Sequence, residues 1–359
     1  MQMRNWIRPL NRARNAFLIV ASVFAASVGA AQAEDINRTP ENIVFFVNGT
    51  LGDKSFFDSG ERGIKRVTSE LSVATETVEG GADPTRWEGA LVDLAEGGDY
   101  DTIITGTFAM VPLIEKIAPQ FPDTRFIIFD GVVDYAKCKC GNVYSILFRQ
   151  NEGAYLAGSL AARLTQAGIA DIASDSALGT VGGMDIPVIN DFLVGFEAGA
   201  KSVKSDVKVL KQYANSFGDP ATGKEIAKAQ FGQGASIVFQ VAGATGQGVI
   251  EAAAEAGRYA IGVDSDQALI YETSRPDTAK RIVTSVLKQV DNTVVRSVSL
   301  MKEGKLPFGQ AESLGLKEGA IGLADNKFTQ AIVPPAIWAE VEKTKADIMD
   351  GKVTVPTAF

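Results

Sequence analysis

The sequence predicts an α/β protein built from two similar lobes that face each other across a cleft. Two observations carry that expectation. Short apolar runs alternate with amphipathic stretches of helical length from Ile43 to Phe148, and the same alternation then starts again. The chain has 359 residues, enough for two separate cores, and no low-complexity linker divides the halves.

In the first half, IVFFV (43–47) reads as a strand and FFDSGERGIKRVTSEL (56–71) as an amphipathic helix. SVATETV (72–78) is a strand. DPTRWEGALVDLAEGG (83–98) is a helix with Asp83 as N-cap and Pro84 in its first turn. DTIITG, TRFIIFDG and VYSILF are strands, with the helix MVPLIEKIAPQF between the first two. The order β-α-β-α implies a parallel sheet covered on both faces. In the second half, the strands are GTVGGM, VKVLKQYA, ASIVFQVA and RYAIGVDSD. They alternate with the helices NEGAYLAGSLAARLTQAG, INDFLVGFEAGAKSV, ATGKEIAKAQFGQ and TGQGVIEAAAEAG. IVTSVLK (282–288) and LGLKEGAIGLA (314–324) read as short connecting strands around the helix DNTVVRSVSLMKEGK, and PAIWAEVEKTKADIMDG closes the chain. Crossings between the lobes are expected to be short strands acting as a hinge.

Composition removes several functions. A net charge of −8 and a pI near 4.9 argue against a nucleic-acid partner. The chain has no histidine, which excludes Ser-His-Asp and Cys-His catalysis and histidine-based metal sites. Both cysteines lie in AKCKCG, as Cys138 and Cys140, and read as a loop staple or two free thiols. The N-terminus has the layout of an export signal. Arg4, Arg8, Arg12 and Arg14 precede an apolar run, and Ala31-Gln32-Ala33 is a small-x-small cleavage site. The run is short for a membrane span. The mature chain is expected to begin at Glu34, in a periplasm, with no cysteine there to take a lipid.

In open α/β sheets, ligands bind beyond the carboxyl ends of the strands. The segments at those ends hold Asn48, Phe56, Phe57, Phe108, Asp130, Met184, Asp185, Phe217, Gly243 and Asp264. Aromatics to stack and carboxylates to accept from hydroxyls suit a polar small molecule with a flat ring. The bland alternative is that the phenylalanines seal core ends and the acids cap helices. Two glycine motifs point toward nucleotide chemistry and fail. GDPATGKE has Glu225 where a phosphate loop needs Ser or Thr, and Asp219-Pro220 reads as a helix start. GATGQG, from Gly243 to Gly248, runs G-x-x-G-x-G and not G-x-G-x-x-G.

The segments GDKSF, FIIFDG, SILFRQNEGAYLAG, VGGMDIPVINDFLVGFEAG, NSFGDPATGKE, VFQVAGATGQGV, IGVDSDQ and TSVLKQVD, in this order, resemble the basic membrane protein family of ABC-transporter substrate-binding proteins. That family includes the purine nucleoside receptors. The resemblance covers nearly the whole mature chain. It implies the type I periplasmic-binding fold, with each lobe a parallel sheet flanked by helices and three hinge crossings between them. It divides the chain into residues 42–147 plus 289–311 as lobe one, and residues 148–288 plus 312–359 as lobe two.

It further implies roles for single residues. Phe56 stacks on one face of a base, and Phe217 is the candidate for the other face, with Phe239 as a rival. Asp130 reads the base edge, Asp264 and Lys288 hold the ribose hydroxyls, and Gly243 and Met184 line the wall. Phe57 is expected to turn back onto its helix, while Asp53, Lys54 and Ser55 shape the turn. The family pattern T-D-x-G-x-x-D-D-K-S-F has Asp where this chain has Asn48, and the loop here is shorter. Asparagine offers a donor as well as an acceptor, so a 6-oxo purine is expected to be tolerated better than by aspartate. The implied partners are a nucleoside and an inner-membrane ABC permease, with the protein acting as a monomer and without cofactor or metal. A sugar-binding protein and a nucleoside-acting enzyme are the competing functions.

Overall fold

The computed structural model describes residues 36–169 and 171–359. The proposed export signal lies outside the described residues. The strands are β1 (Asn42–Val47), β2 (Ala74–Glu79), β3 (Thr102–Gly106), β4 (Arg125–Phe129), β5 (Val143–Phe148), β6 (Ala177–Gly182), β7 (Val209–Tyr213), β8 (Ala235–Val241), β9 (Tyr259–Asp264), β10 (Ile282–Lys288), β11 (Gln310–Leu314) and β12 (Ile321–Leu323). They form two six-stranded sheets, ordered β11-β5-β4-β3-β1-β2 and β12-β10-β9-β8-β6-β7. The first is parallel throughout, and the second is parallel except for β12, which runs antiparallel to β10. The two orders are the same when each lobe is counted from its own first strand, so the chain builds one doubly wound pattern twice.

The burial pattern explains why these segments are strands. β3, β4, β6, β8 and β9 are buried along their whole length, as strands covered by helices on both faces must be. Alternate residues of β1 serve different cores: Ile43, Phe45 and Val47 pack on one face, Val44 and Phe46 on the other. β2 lies at a sheet edge, and its ATETVE sequence is half exposed. Helix ends follow the sequence: Asp83 and Asp219 each accept a backbone N–H of the turn they start.

The chain crosses between lobes three times: after Phe148, after Lys288 and after Leu314. These crossings are loops and not the short strands expected. IVTSVLK is an interior strand, β10, because all its residues except Leu287 are buried between β9 and β12. β11 completes the first sheet beside β5, so the last crossing falls after Leu314 and not near residue 311. The returning helix Val290–Lys302 packs on helix Phe56–Leu71, where a Cβ on Gly63 would lie 2.8 Å from Asp291 Cα. Arg149 joins the first and third crossings, with Nε 2.8 Å from Glu152 Oε1 and Nη1 donating to Ser313 O at 2.6 Å. Cys138 and Cys140 form a disulfide, which resolves the choice between staple and free thiols.

Candidate ligand-binding cleft

The carboxyl ends of both sheets converge on the space between the lobes. In the first sheet the strand order reverses between β1 and β3, and the residues that follow them meet there: Asn48 Nδ2 donates to Thr107 Oγ1 at 2.8 Å. Asp130 follows β4, Gly243 follows β8, Asp264 ends β9 and Lys288 ends β10. Left-handed backbone recurs at these ends. Thr107, Asp130, Asn215 and Asp264 have φ of 76°, 59°, 56° and 62°, and Gly243 has 56°. Asp and Asn tolerate this region better than most residues, and Thr does not, so the turns at these ends carry strain of the kind that gathers at functional sites.

The centre is a charged cluster with little access to water. Lys288 is 1% exposed, and its ammonium donates to Asp130 Oδ2. The same ammonium lies 5.2, 5.0 and 5.5 Å from the ring centroids of Phe56, Phe148 and Phe192. Asp264 accepts a hydrogen bond from the Ser55 hydroxyl of the opposite lobe. Burial pushes the Asp264 carboxyl up to about 7, against the lowering influence of Lys288 and Ser55, while Asp53 and Asp130 add to the rise. Burial also raises Asp130, with Lys288 holding it back. One cation therefore serves two buried acids. A buried pair of this kind adds little net stability, so its value has to be sought in what it binds.

Two acceptor atoms in the cleft are buried and lack a hydrogen-bond partner among the described residues: Asn48 Oδ1 and Asp130 Oδ1. Buried polar atoms are nearly always paired, and an unpaired one costs about 1–3 kcal/mol. Asn48 spends one of its two amide N–H donors on Thr107 and leaves its Oδ1 buried without a partner. It therefore retains a second amide N–H beside an unpartnered acceptor, whereas an ionised aspartate would offer acceptors alone.

The aromatic side chains divide in their duties. Phe56 stands beside Phe129, with centroids 5.4 Å apart, and faces Lys288. Phe57 packs back under the turn, where a Cβ on Gly49 would meet its ring at 2.8 Å. Phe217 packs against Gly183, whose hypothetical Cβ would be 2.3 Å from the ring, and it remains 38% exposed. Met184, next to Gly183, is equally exposed. Gly243 lies behind Phe217, its hypothetical Cβ 3.4 Å from Phe217 O. Phe239, the rival to Phe217, is placed differently. It is fully buried and packs on Phe192 and Phe196 beneath the second sheet.

Asp53 shapes the turn as expected, accepting from the N–H groups of Ser55, Phe57 and Asp58. Ser55 does more than shape it. Its hydroxyl reaches Asp264, a link between lobes that sequence reasoning missed. Phe148 and Phe192 were missed too, because an apolar residue at a strand end or inside a helix looks like core.

Two lobes of matching topology, three crossings and a polar site enclosed between them define a solute-binding protein of the type I periplasmic fold. Residues 40–356 match the Bmp family, described as ABC transporter substrate-binding protein, PnrA-like, and the chain belongs to that family. The ABC transporter nucleoside-binding protein BmpA of Lactococcus lactis subsp. cremoris is 37% identical over 273 residues, 73% of either chain. Basic membrane protein D of Borreliella burgdorferi is 29% identical over 338 residues, 93% of either chain. Among solved structures, an ABC transporter solute-binding protein of Aeropyrum pernix K1 superposes with a TM-score of 0.77 at 28% identity, covering 88% of this chain and 94% of that one. The protein is thus a substrate-binding component of an ABC transporter, which takes up a small molecule and works with a permease.

Proposed function

We propose that the protein captures a purine nucleoside outside the inner membrane, after removal of residues 1–33, and delivers it to an ABC permease. Phe56 and Phe217 stack on the two faces of the base. Asp130 and Asn48 meet its edge, Asp264 and Lys288 hold the ribose hydroxyls, and Met184 and Gly243 close the wall. The act is capture by a monomer, with no chemistry and no cofactor. The observation that carries this reading is the pair of buried, unpartnered acceptors, Asn48 Oδ1 and Asp130 Oδ1, beside an aromatic ring and a lysine. An amino or imino group on a base edge would satisfy them. The name of the L. lactis relative supports the same ligand class.

Mass spectrometry of small molecules released from freshly purified, denatured protein tests the ligand class directly. A purine nucleoside is expected, and a sugar in its place would overturn the reading. Phe56→Ala should weaken nucleoside binding by about 1–3 kcal/mol, the worth of one base–aromatic stack.

A further inference from the structure

The segment from Gly52 to Ser55 joins β1 to helix Phe56–Leu71 and belongs to the first lobe. Its polar groups are sorted by direction except at Ser55 O, which also accepts from Ser59 N of its own lobe at 3.1 Å. Asp58 accepts from Gly52 N and Lys54 N at 2.7 and 2.9 Å, and Asp53 accepts from Ser55 N at 2.9 Å, so these donors are used within the lobe. All four carbonyls accept from side chains of the second lobe. Gln247 Nε2 lies 3.3 Å from both Gly52 O and Asp53 O. Gln267 Nε2 lies 3.4 Å from Lys54 O, and Ser265 Oγ donates to Ser55 O at 3.2 Å. Lys54 Nζ also stands 4.5 Å from the centroid of the Tyr271 ring, across the same interface.

We propose that this strip of carbonyls is a bolt between the lobes, and that Gln247 is the positioning residue that controls how long a captured ligand stays. The idea rests on the capture function above, but the bolt needs no ligand atom. Gln247 acts through the loop that carries Ser55 and Phe56 into the cleft. Each bond is long and neutral, so each contributes little, and four in a row contribute together. A closed form held in part by the protein itself raises the population competent to retain ligand, and apparent affinity scales with that population.

The test uses Gln247→Ala and Gln247→Glu in the full mature chain. Gln247 is half-buried on a helix surface, and glutamate keeps its size while its ionised carboxylate cannot donate to a carbonyl. Stopped-flow release of adenosine, guanosine and inosine should be faster by roughly tenfold in both variants, with the ratios among ligands unchanged. Small-angle scattering of ligand-free protein should show a larger radius of gyration in both variants than in the wild type. Unchanged release together with unchanged scattering would overturn the bolt. So would a loss confined to one ligand, which would make Gln247 a direct contact. If no nucleoside binds the wild type, the capture reading fails, and the scattering comparison still decides the bolt.

Discussion

Asp264 provides the sharpest test of the cleft, because its proton is coupled to both folding and binding. The carboxyl faces Lys288, Ser55, Asp53 and Asp130, and burial lifts it from 3.8 to about 7. A group raised on folding favours the folded state most when the pH is below its unfolded value, and this advantage is lost as pH rises through its folded value. The full gap corresponds to about 4 kcal/mol, of which about 2 kcal/mol falls between pH 5 and pH 7. Asp264→Asn cannot ionise, so its ligand-free stability should lack that portion of the slope; the slope from Asp130 and Asp53, both raised by burial, should remain. Urea unfolding of both proteins from pH 5 to 8 measures the difference. Binding should run the other way. Ribose hydroxyls donating to an ionised Asp264 require the proton to leave, so wild-type affinity should fall about tenfold for each pH unit below about 7. Calorimetry in two buffers of different ionisation enthalpy should show proton release on binding. Parallel stability curves for wild type and variant, or the same pH dependence of binding in both, would refute the assignment of that proton to Asp264.

Three further outcomes follow from the same geometry. Lys288→Met keeps the stem between Phe56, Phe148 and Phe192 but leaves two buried acids without their cation; urea unfolding at neutral pH should show a loss of about 3–5 kcal/mol, partly recovered at low pH. Gly183→Ala drives a Cβ into the Phe217 ring, which is exposed enough to move; thermal unfolding should change by less than about 1 kcal/mol while nucleoside affinity falls clearly in calorimetry. A 2′-deoxynucleoside should bind more weakly than its ribose parent by about 1–3 kcal/mol in calorimetry, because one acceptor in the diol site loses its donor.

The parts of this molecule that were readable from sequence are those where one residue type answers to one physical demand. Buried parallel strands have to be apolar on both faces, so β1, β3, β4 and β8 stand out as runs. β10 was misread as a connector because Thr284, Ser285 and Lys288 interrupt its apolar pattern, and those polar groups are satisfied only by tertiary partners: Ala324 O, Gln267 N and Asp130. The same limit applies in the cleft. Phe239 and Phe217 are identical in composition and both lie in the second lobe, yet one faces the underside of a sheet and the other lies over a glycine at its end. A run buried on both faces does not say which face a given side chain takes. Ser55 and Gln247 are further out of reach. Each sits in a turn or on a helix start, where serine and glutamine are ordinary, and each gains its role only when a lobe more than 190 residues away in the chain closes over it. What escapes sequence reading here is the meeting of two surfaces, and in a protein that works by closing, that meeting sets how long the ligand stays.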